Sequence, residues 1–274
     1  MQPKNKLRHD GRLNNQLRPI SFVYNIFEYR AGSVFFELGK NKILCSITLQ
    51  NNVPIFLRGK NTGWLTAEYA MLPASTMVRT QRESQVRKNG RSIEISRFIG
   101  RSLRSVVDVS VLGERTVIVD CDIIQADGGT RTACVTAAYL ALQYAQEKWL
   151  QSKKIEKPFL RDGIVGVSVG ILNDEPMLDL DYAEDSNIDA DFNFVITQSG
   201  MVVEIQGNAE KKPISWSLFE NMRLLAIEGA KQLFEQCKQN ANNIIIFKKR
   251  QANKVTEINK KLPLFSLRKR QLNL

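Results

Sequence analysis

A chain of 274 residues, 43% of them hydrophobic, is long enough to bury a substantial core, and we read it as one large domain. Thirty-nine Lys and Arg against 28 Asp and Glu leave a net charge of +11, which concentrates polyanions at the surface and makes nucleic acid the default partner, with general solubility as the blander reading. The single histidine, His9, excludes ribonucleases that pair two histidines as acid and base, and zinc sites built on several imidazoles, so any RNA cleavage must rest on carboxylates, arginines and a metal.

The polar stretch Met1 to Arg18 has no apolar run, and no window is long enough to span a bilayer, so the expectation is a cytoplasmic protein with no membrane partner. Short β-rich runs follow at Ile20 to Tyr29, Ser33 to Leu38 and Lys42 to Leu49, an antiparallel meander punctuated by Gly32 and Gly39. A strand from Gly63 to Leu72 leads into an arginine-rich stretch, Val78 to Arg91, that closes on Asn89 and Gly90. From Ser92, apolar residues recur at three- and four-residue spacing (Ile95, Phe98, Ile99, Leu103, Val106), predicting an amphipathic helix that ends near Gly113. A buried strand at Thr116 to Ala126 and an alanine-rich helix, Thr132 to Gln151, complete the first half.

The second half repeats the plan, with strands at Gly163 to Leu172, Met177 to Tyr182, Phe192 to Thr197 and Met201 to Gln206, then a helix from Ser217 to Gln239. Sheet followed by helix, twice, predicts an α+β fold with helices gathered on one side of each sheet. Four dispersed cysteines, Cys45, Cys121, Cys134 and Cys237, fit neither a disulfide ladder nor a metal knuckle and read as reduced core residues. The organisation expected is a catalytic domain over residues 1–241 and a basic C-terminal tail over residues 242–274, with nine Lys or Arg against one Glu. The tail reads either as a mobile solvated terminus or as an RNA-binding arm.

Chemistry concentrates in three places. Gln125-Ala126-Asp127-Gly128-Gly129-Thr130-Arg131-Thr132 leaves a strand and opens a helix, so backbone N–H groups, the helix dipole, the Thr130 hydroxyl and the Arg131 guanidinium make a phosphate cradle. The other reading is a plain strand-to-helix turn capped by Asp127 or Thr130. Arg91, before the first long helix, is either a second phosphate ligand or a surface arginine. Asp179, Asp181, Glu184, Asp185, Asp189 and Asp191 cluster between two expected strands, either as a solvated loop or as carboxylates for Mg²⁺. Arg79, Arg82, Arg87 and Lys88 form a basic run suited to gripping an RNA backbone by charge.

Four stretches now form a pattern: Asp10-Gly11-Arg12-Leu13-Asn14-Asn15-Gln16-Leu17-Arg18-Pro19-Ile20, Gly63-Trp64-Leu65-Thr66-Ala67-Glu68-Tyr69, Gln125 to Ala133, and Tyr182-Ala183-Glu184-Asp185-Ser186. Together they closely resemble the bacterial ribonuclease PH family, from about Arg8 to about Gln239. The resemblance implies two βαβα-type halves of the ribosomal protein S5 domain 2-like kind, with helices packed on mixed sheets. It also implies a homohexamer, a trimer of dimers, that removes 3′ nucleotides from tRNA precursors as nucleoside 5′-diphosphates, with inorganic phosphate as co-substrate and Mg²⁺ or Mn²⁺ as metal. By position in the matching motifs, Arg91, Gly129, Thr130 and Arg131 correspond to phosphate-binding residues, Asp185 and Asp191 to catalytic, metal-binding carboxylates, and Arg79 and Arg82 to RNA-binding arginines.

Inorganic phosphate is already an ionised nucleophile, so such a reaction needs no histidine base, and Asp185 is the expected acid for the departing 3′ oxygen. Two positions depart from the family pattern: Ala74 stands where arginine is usual, which weakens the RNA grip, and Asn208 where threonine is usual; neither is expected to touch the phosphate or metal positions. The rival readings are a catalytically inactive, ring-forming RNA-binding subunit and a basic RNA chaperone acting through the tail.

Overall fold

The computed structural model describes residues 7–82 and 89–261, with side chains described through residue 241. Two compact units divide the chain, Met1–Cys237 and Lys238–Leu274. In the first unit, β1 (Ile20–Tyr24), β2 (Gly32–Leu38), β3 (Asn41–Gln50), β4 (Trp64–Met71) and β5 (Thr116–Gln125) form a sheet of order β1-β2-β3-β5-β4. Every pairing is antiparallel except β4 with β5. A second sheet, antiparallel throughout, has the order β7-β6-β8-β9, from β6 (Ile164–Leu172), β7 (Glu175–Leu178), β8 (Ala190–Thr197) and β9 (Val202–Ala209). The α-helices among the described residues are α1 (Gly90–Arg104), α2 (Thr130–Gln151), α3 (Tyr182–Asp185) and α4 (Trp216–Lys261).

Helix α2 organises the core because it packs on both sheets. A Cβ added at Gly32 of β2 would lie 2.1 Å from the Ala141 carbonyl oxygen, and one at Gly166 of β6 would lie 2.6 Å from that of Thr132. Only glycine permits this backbone approach. Enclosed on opposite sides, α2 carries no amphipathic stripe: Ala133, Cys134, Val135, Ala137, Ala138, Leu140, Ala141 and Leu142 are all buried. All four cysteines are free and buried.

Several elements differ from the sequence expectations for identifiable reasons. Strand β1 stops at Tyr24 because Asn25 turns into the left-handed region, φ 63°. Helix α1 ends at Arg104 rather than near Gly113; Val107 bridges to Leu160, and Asp108 caps a separate 3-10 turn, Val109–Leu112. Strand β7 ends at Leu178, because Asp179 adopts φ 53° and Asp181 then caps α3. Helix α4 continues past Gln239 through Lys261, so the backbone of the expected tail is helical over that part. No described helix is long and apolar enough to cross a membrane.

A buried ion network ties the N-terminal segment to the loop after β7. Arg18 donates to both oxygens of Asp179, at 3.0 Å from Nε and 2.6 Å from Nη2, and to Asp127 at 3.0 Å. Arg8 donates to the Glu184 carboxylate, and its Nη1 bonds the Leu178 carbonyl at 2.6 Å. Burial alone would push the Asp179 carboxyl up; the Arg18 guanidinium and backbone N–H, with Arg12 beside them, together outweigh it and hold the group below the ordinary value of 3.8.

A depressed carboxyl contributes stability above its unfolded pKa and loses it as pH falls through the folded value. Asp179→Asn tests this: asparagine tolerates the left-handed backbone, the charge is removed, and an NH₂ donor replaces one of the two oxygens that accept from Arg18. The variant is expected to lose about 3–5 kcal/mol in urea unfolding at neutral pH, because a buried guanidinium is left short of its partner. The gap to the parent should narrow below the ordinary carboxyl value of 3.8. Coincident urea midpoints at neutral pH would show that the network adds no net stability.

Candidate functional site

The glycine pair that follows β5 sets the site's position. At Gly128 a Cβ would lie 2.4 Å from the Leu180 carbonyl oxygen and within 2.7 Å of Asp181 backbone atoms, so the acidic loop rests directly on the start of α2. The Gly128 carbonyl accepts from Arg18 Nη2 at 2.9 Å and from Asn41 Nδ2 at 2.7 Å. Gly129, with φ 74°, is the N-cap of α2 and supplies no side chain to the first-turn N–H groups. Asp127 and Thr130 are engaged elsewhere: Asp127 accepts from the Tyr182 N–H at 2.7 Å, and Thr130 Oγ1 lies 3.1 Å from the Tyr69 hydroxyl. Neither residue therefore caps α2, and its first-turn N–H groups and partial positive charge have no side-chain cap.

Arg131, in the first turn of α2, is half-buried and donates from Nη1 to Gln206 Oε1 at 2.5 Å. Arg91 stands exposed in the first turn of α1, behind the N-cap Asn89, whose side chain accepts from the Arg91 N–H. Both guanidiniums act on the same carboxyl: burial pushes Asp185 up, and Arg91, Arg131 and Arg18 pull against that rise. Gly129, Thr130, Arg131, Arg91, Asp185 and Asp191 are thus gathered around the junction of α1, α2, α3 and β8.

The six clustered acids do not form one solvated loop. Asp179 is spent on Arg18 and Glu184 on Arg8; Asp181 caps α3 and lies 2.7 Å from His9 Nε2; Asp189 pairs with Lys211 at 3.3 Å. Asp185 closes α3, and Asp191 lies on β8 rather than in a loop. Burial and then the neighbouring Asp185 push the Asp191 carboxyl up to about 6, while Asn193 Nδ2 donates to it at 3.2 Å. Two neighbouring oxygen-donor carboxyls, both costly to ionise because they are buried, fit a hard divalent cation, which would relieve that cost. His9, Asp181 and Glu184 also approach one another, but the Arg8 and Arg12 guanidiniums already serve this group.

Arg79 and Arg82 are exposed beyond β4, on a segment tied to the cradle strand where the Ala126 N–H donates to the Ser75 carbonyl at 2.8 Å. Arg87 and Lys88 lie outside the described residues. Ala74 is exposed on the same segment. Asn208 is not remote from the carboxylates as expected: the β8–β9 register sets it opposite Asp191, and its Nδ2 donates to Glu210 at 3.2 Å. Sequence reasoning missed Arg18, Tyr69, Glu94 and Gln206 as members of this site, and weighed Asp127 only as part of the glycine motif or as a cap. Glu94 carries the clearest signal, one helical turn after Arg91 on the same face.

Residues 16–147 match the 3′ exoribonuclease family, domain 1, and residues 162–229 match its domain 2. Ribonuclease PH of Tropheryma whipplei (strain Twist) is 49% identical over 231 residues, covering 84% of this chain and 93% of that protein. Ribonuclease PH of Bacillus cytotoxicus is 47% identical over 241 residues, covering 87% and 98% respectively. In fold, the chain is similar to one from the Archaeoglobus fulgidus exosome with RNA bound to the active site. That match has a TM-score of 0.73 at 22% identity, over 85% of this chain and 93% of that one. The chain belongs to the ribonuclease PH family of phosphorolytic 3′ exoribonucleases.

Proposed function

We propose that this phosphorolytic exoribonuclease acts on tRNA precursors, with inorganic phosphate held by Arg91, Arg131, Thr130 and the backbone at Gly129, and with Asp185 and Asp191 as the catalytic carboxylates. The observation that carries the reading is the convergence of two arginines and an uncapped helix start on a pair of carboxyls of raised proton affinity. In the reaction a phosphate oxygen attacks the last phosphodiester phosphorus, and the bond from that phosphorus to the 3′ oxygen of the preceding nucleotide breaks. The products are a nucleoside 5′-diphosphate and an RNA one residue shorter. The departing 3′ oxygen needs a proton, and Asp185, pushed up chiefly by burial, is the group suited to supply it. Asp191, with the unprotonated oxygen of Asp185, would hold Mg²⁺ or Mn²⁺, whose charge would offset that of the scissile phosphate.

The same machinery runs backwards when phosphate is scarce, adding nucleotides from diphosphates. Residues 1–241 serve as the catalytic domain, residues 242–274 form a basic appendage, and Arg79 and Arg82 grip the RNA backbone. The working form is a homohexamer, a trimer of dimers, in the cytoplasm. Large apolar side chains exposed on the single chain, among them Ile55 at 79%, Phe56 at 59% and Trp216 at 86%, are compatible with burial against other copies.

Incubation with a 3′-extended tRNA precursor and Mg²⁺ should release nucleoside diphosphates only when inorganic phosphate is present. Monophosphates released without phosphate would contradict phosphorolysis, and intact RNA bound without turnover would favour the inactive subunit. Arg131→Ala is expected to raise the phosphate requirement at least about tenfold with little change in RNA affinity, since it removes a charged donor from the anion site. Asp185→Asn should stop turnover and leave RNA binding; equal loss of RNA binding in both variants would sink this division of roles.

Asp191 yields a separate, opposite-signed expectation. Its carboxyl is raised from 3.8 to about 6, so the folded chain binds the extra proton and stability falls as pH rises between those values. Above that window the buried, ionised group costs about 2–3 kcal/mol. Asp191→Asn should therefore unfold at higher urea than the parent near neutral pH without divalent cation, and added Mg²⁺ should raise the parent's midpoint far more than the variant's. A variant less stable than the parent in the absence of cation would overturn the electrostatic account.

A further inference from the structure

Arg131 is held along one edge by a closed set of polar contacts. Its Nη1 donates to Gln206 Oε1 at 2.5 Å, and its Nη2 lies 3.5 Å from Glu94 Oε2. The third side is a bond from Gln206 Nε2 to Glu94 Oε1 at 2.8 Å. Three elements meet here: Glu94 comes from α1, one turn after Arg91; Arg131 from α2; and Gln206 from β9. Gln206 also stands opposite Asn193 in the β8–β9 register, and Asn193 donates to Asp191.

A glutamine amide is two-faced, and only its carbonyl end can accept from a guanidinium. Glu94, an acceptor when ionised, takes the NH₂ end and so turns the carbonyl toward Arg131. The guanidinium has five N–H donors in a rigid fork, and fixing one edge leaves the rest aimed in a defined direction. An arginine held in this way loses less side-chain entropy when an anion binds, so the contacts favour phosphate capture without touching it.

We propose that Glu94 and Gln206 are positioning residues for inorganic phosphate, acting through Arg131. The proposal rests on the reading of Arg131 as a phosphate ligand. It predicts a particular kinetic pattern. Gln206→Leu, which keeps the side chain's bulk but removes both hydrogen bonds, should raise KM for inorganic phosphate about tenfold, with a much smaller change in kcat and in RNA affinity. Single Gln206→Glu should also raise that KM, because it sets a second carboxylate beside Glu94 in an anion site. The swapped pair, Gln206→Glu with Glu94→Gln, keeps the net charge, the acceptor for Arg131 and a donor toward position 206. It should recover most of the parent KM.

Steady-state phosphorolysis over a phosphate series, with thermal midpoints for each purified full-length variant, decides the matter. A tenfold-scale rise for Gln206→Leu together with recovery in the swapped pair supports positioning. If Arg131→Ala raises KM for phosphate but Gln206→Leu does not, the positioning role fails while the reading of Arg131 stands. If Arg131→Ala also leaves KM unchanged, the reading of the phosphate site fails first. A swapped pair as stable as the parent but no better than Gln206→Leu overturns the proposal as well.

Discussion

The geometry of the site depends on the buried pairing of Arg18 with Asp179 and Asp127. These three residues come from the N-terminal segment, the loop after β7 and the end of β5, and all three side chains are almost wholly buried. Separately, each charge would be expelled from such an interior; together they are paired, with Arg18 giving a further donor to the Gly128 carbonyl. The consequence is positional. Gly128 can accept the acidic loop's backbone only because nothing projects from its own Cα, and Arg18 clamps the two surfaces that meet there. The start of α2 and the carboxyl-bearing loop are therefore fixed against one another before any ligand binds.

Around this clamp the protein sorts its acids by partner. Asp179, Glu184 and Asp189 face Arg18, Arg8 and Lys211, and Asp181 is absorbed as the cap of α3, where it meets the chain's sole histidine. Asp185 and Asp191 are instead left in each other's field, and burial makes their ionisation still more costly. A chain of net charge +11 thus sets two carboxyls of raised proton affinity next to a positive helix start. Such a pairing of opposite fields suits a reaction in which an anionic nucleophile must approach an anionic backbone.

What could be read beforehand follows the range of the interactions involved. Helix α1 was legible from Ser92 because Ile95, Phe98, Ile99 and Leu103 recur at helical spacing, and the strand-to-helix junction was legible because Gly128, Gly129, Thr130 and Arg131 are contiguous. The stretch Leu178-Asp179-Leu180-Asp181 alternates apolar and polar residues and reads as a strand, yet Asp179 turns it into a left-handed corner. Its partner Arg18 lies 161 residues earlier, beyond the reach of any periodicity argument. Glu94 and Gln206 were hidden for the same reason, since their contact spans 112 residues. The Asn208 substitution looked remote because chain distance from Asp191 conceals strand pairing, whereas the register places the two side by side.

The single histidine makes sense in this light. A hydrolytic site must remove a proton from water and commonly uses a base titrating near neutrality, whereas inorganic phosphate arrives already ionised. The requirement shifts from making a nucleophile to holding one, and holding an anion calls for fixed cations, donors and a dipole rather than a titrating group. Arginine stays charged across the working range, and Arg91 and Arg131 reach the site from separate helix starts. In the function we propose, titration belongs to the leaving-group side, served by Asp185 and Asp191 with their raised proton affinities. His9 is free to lie outside that chemistry, with its Nε2 against Asp181, because the reaction has no role that only an imidazole can fill.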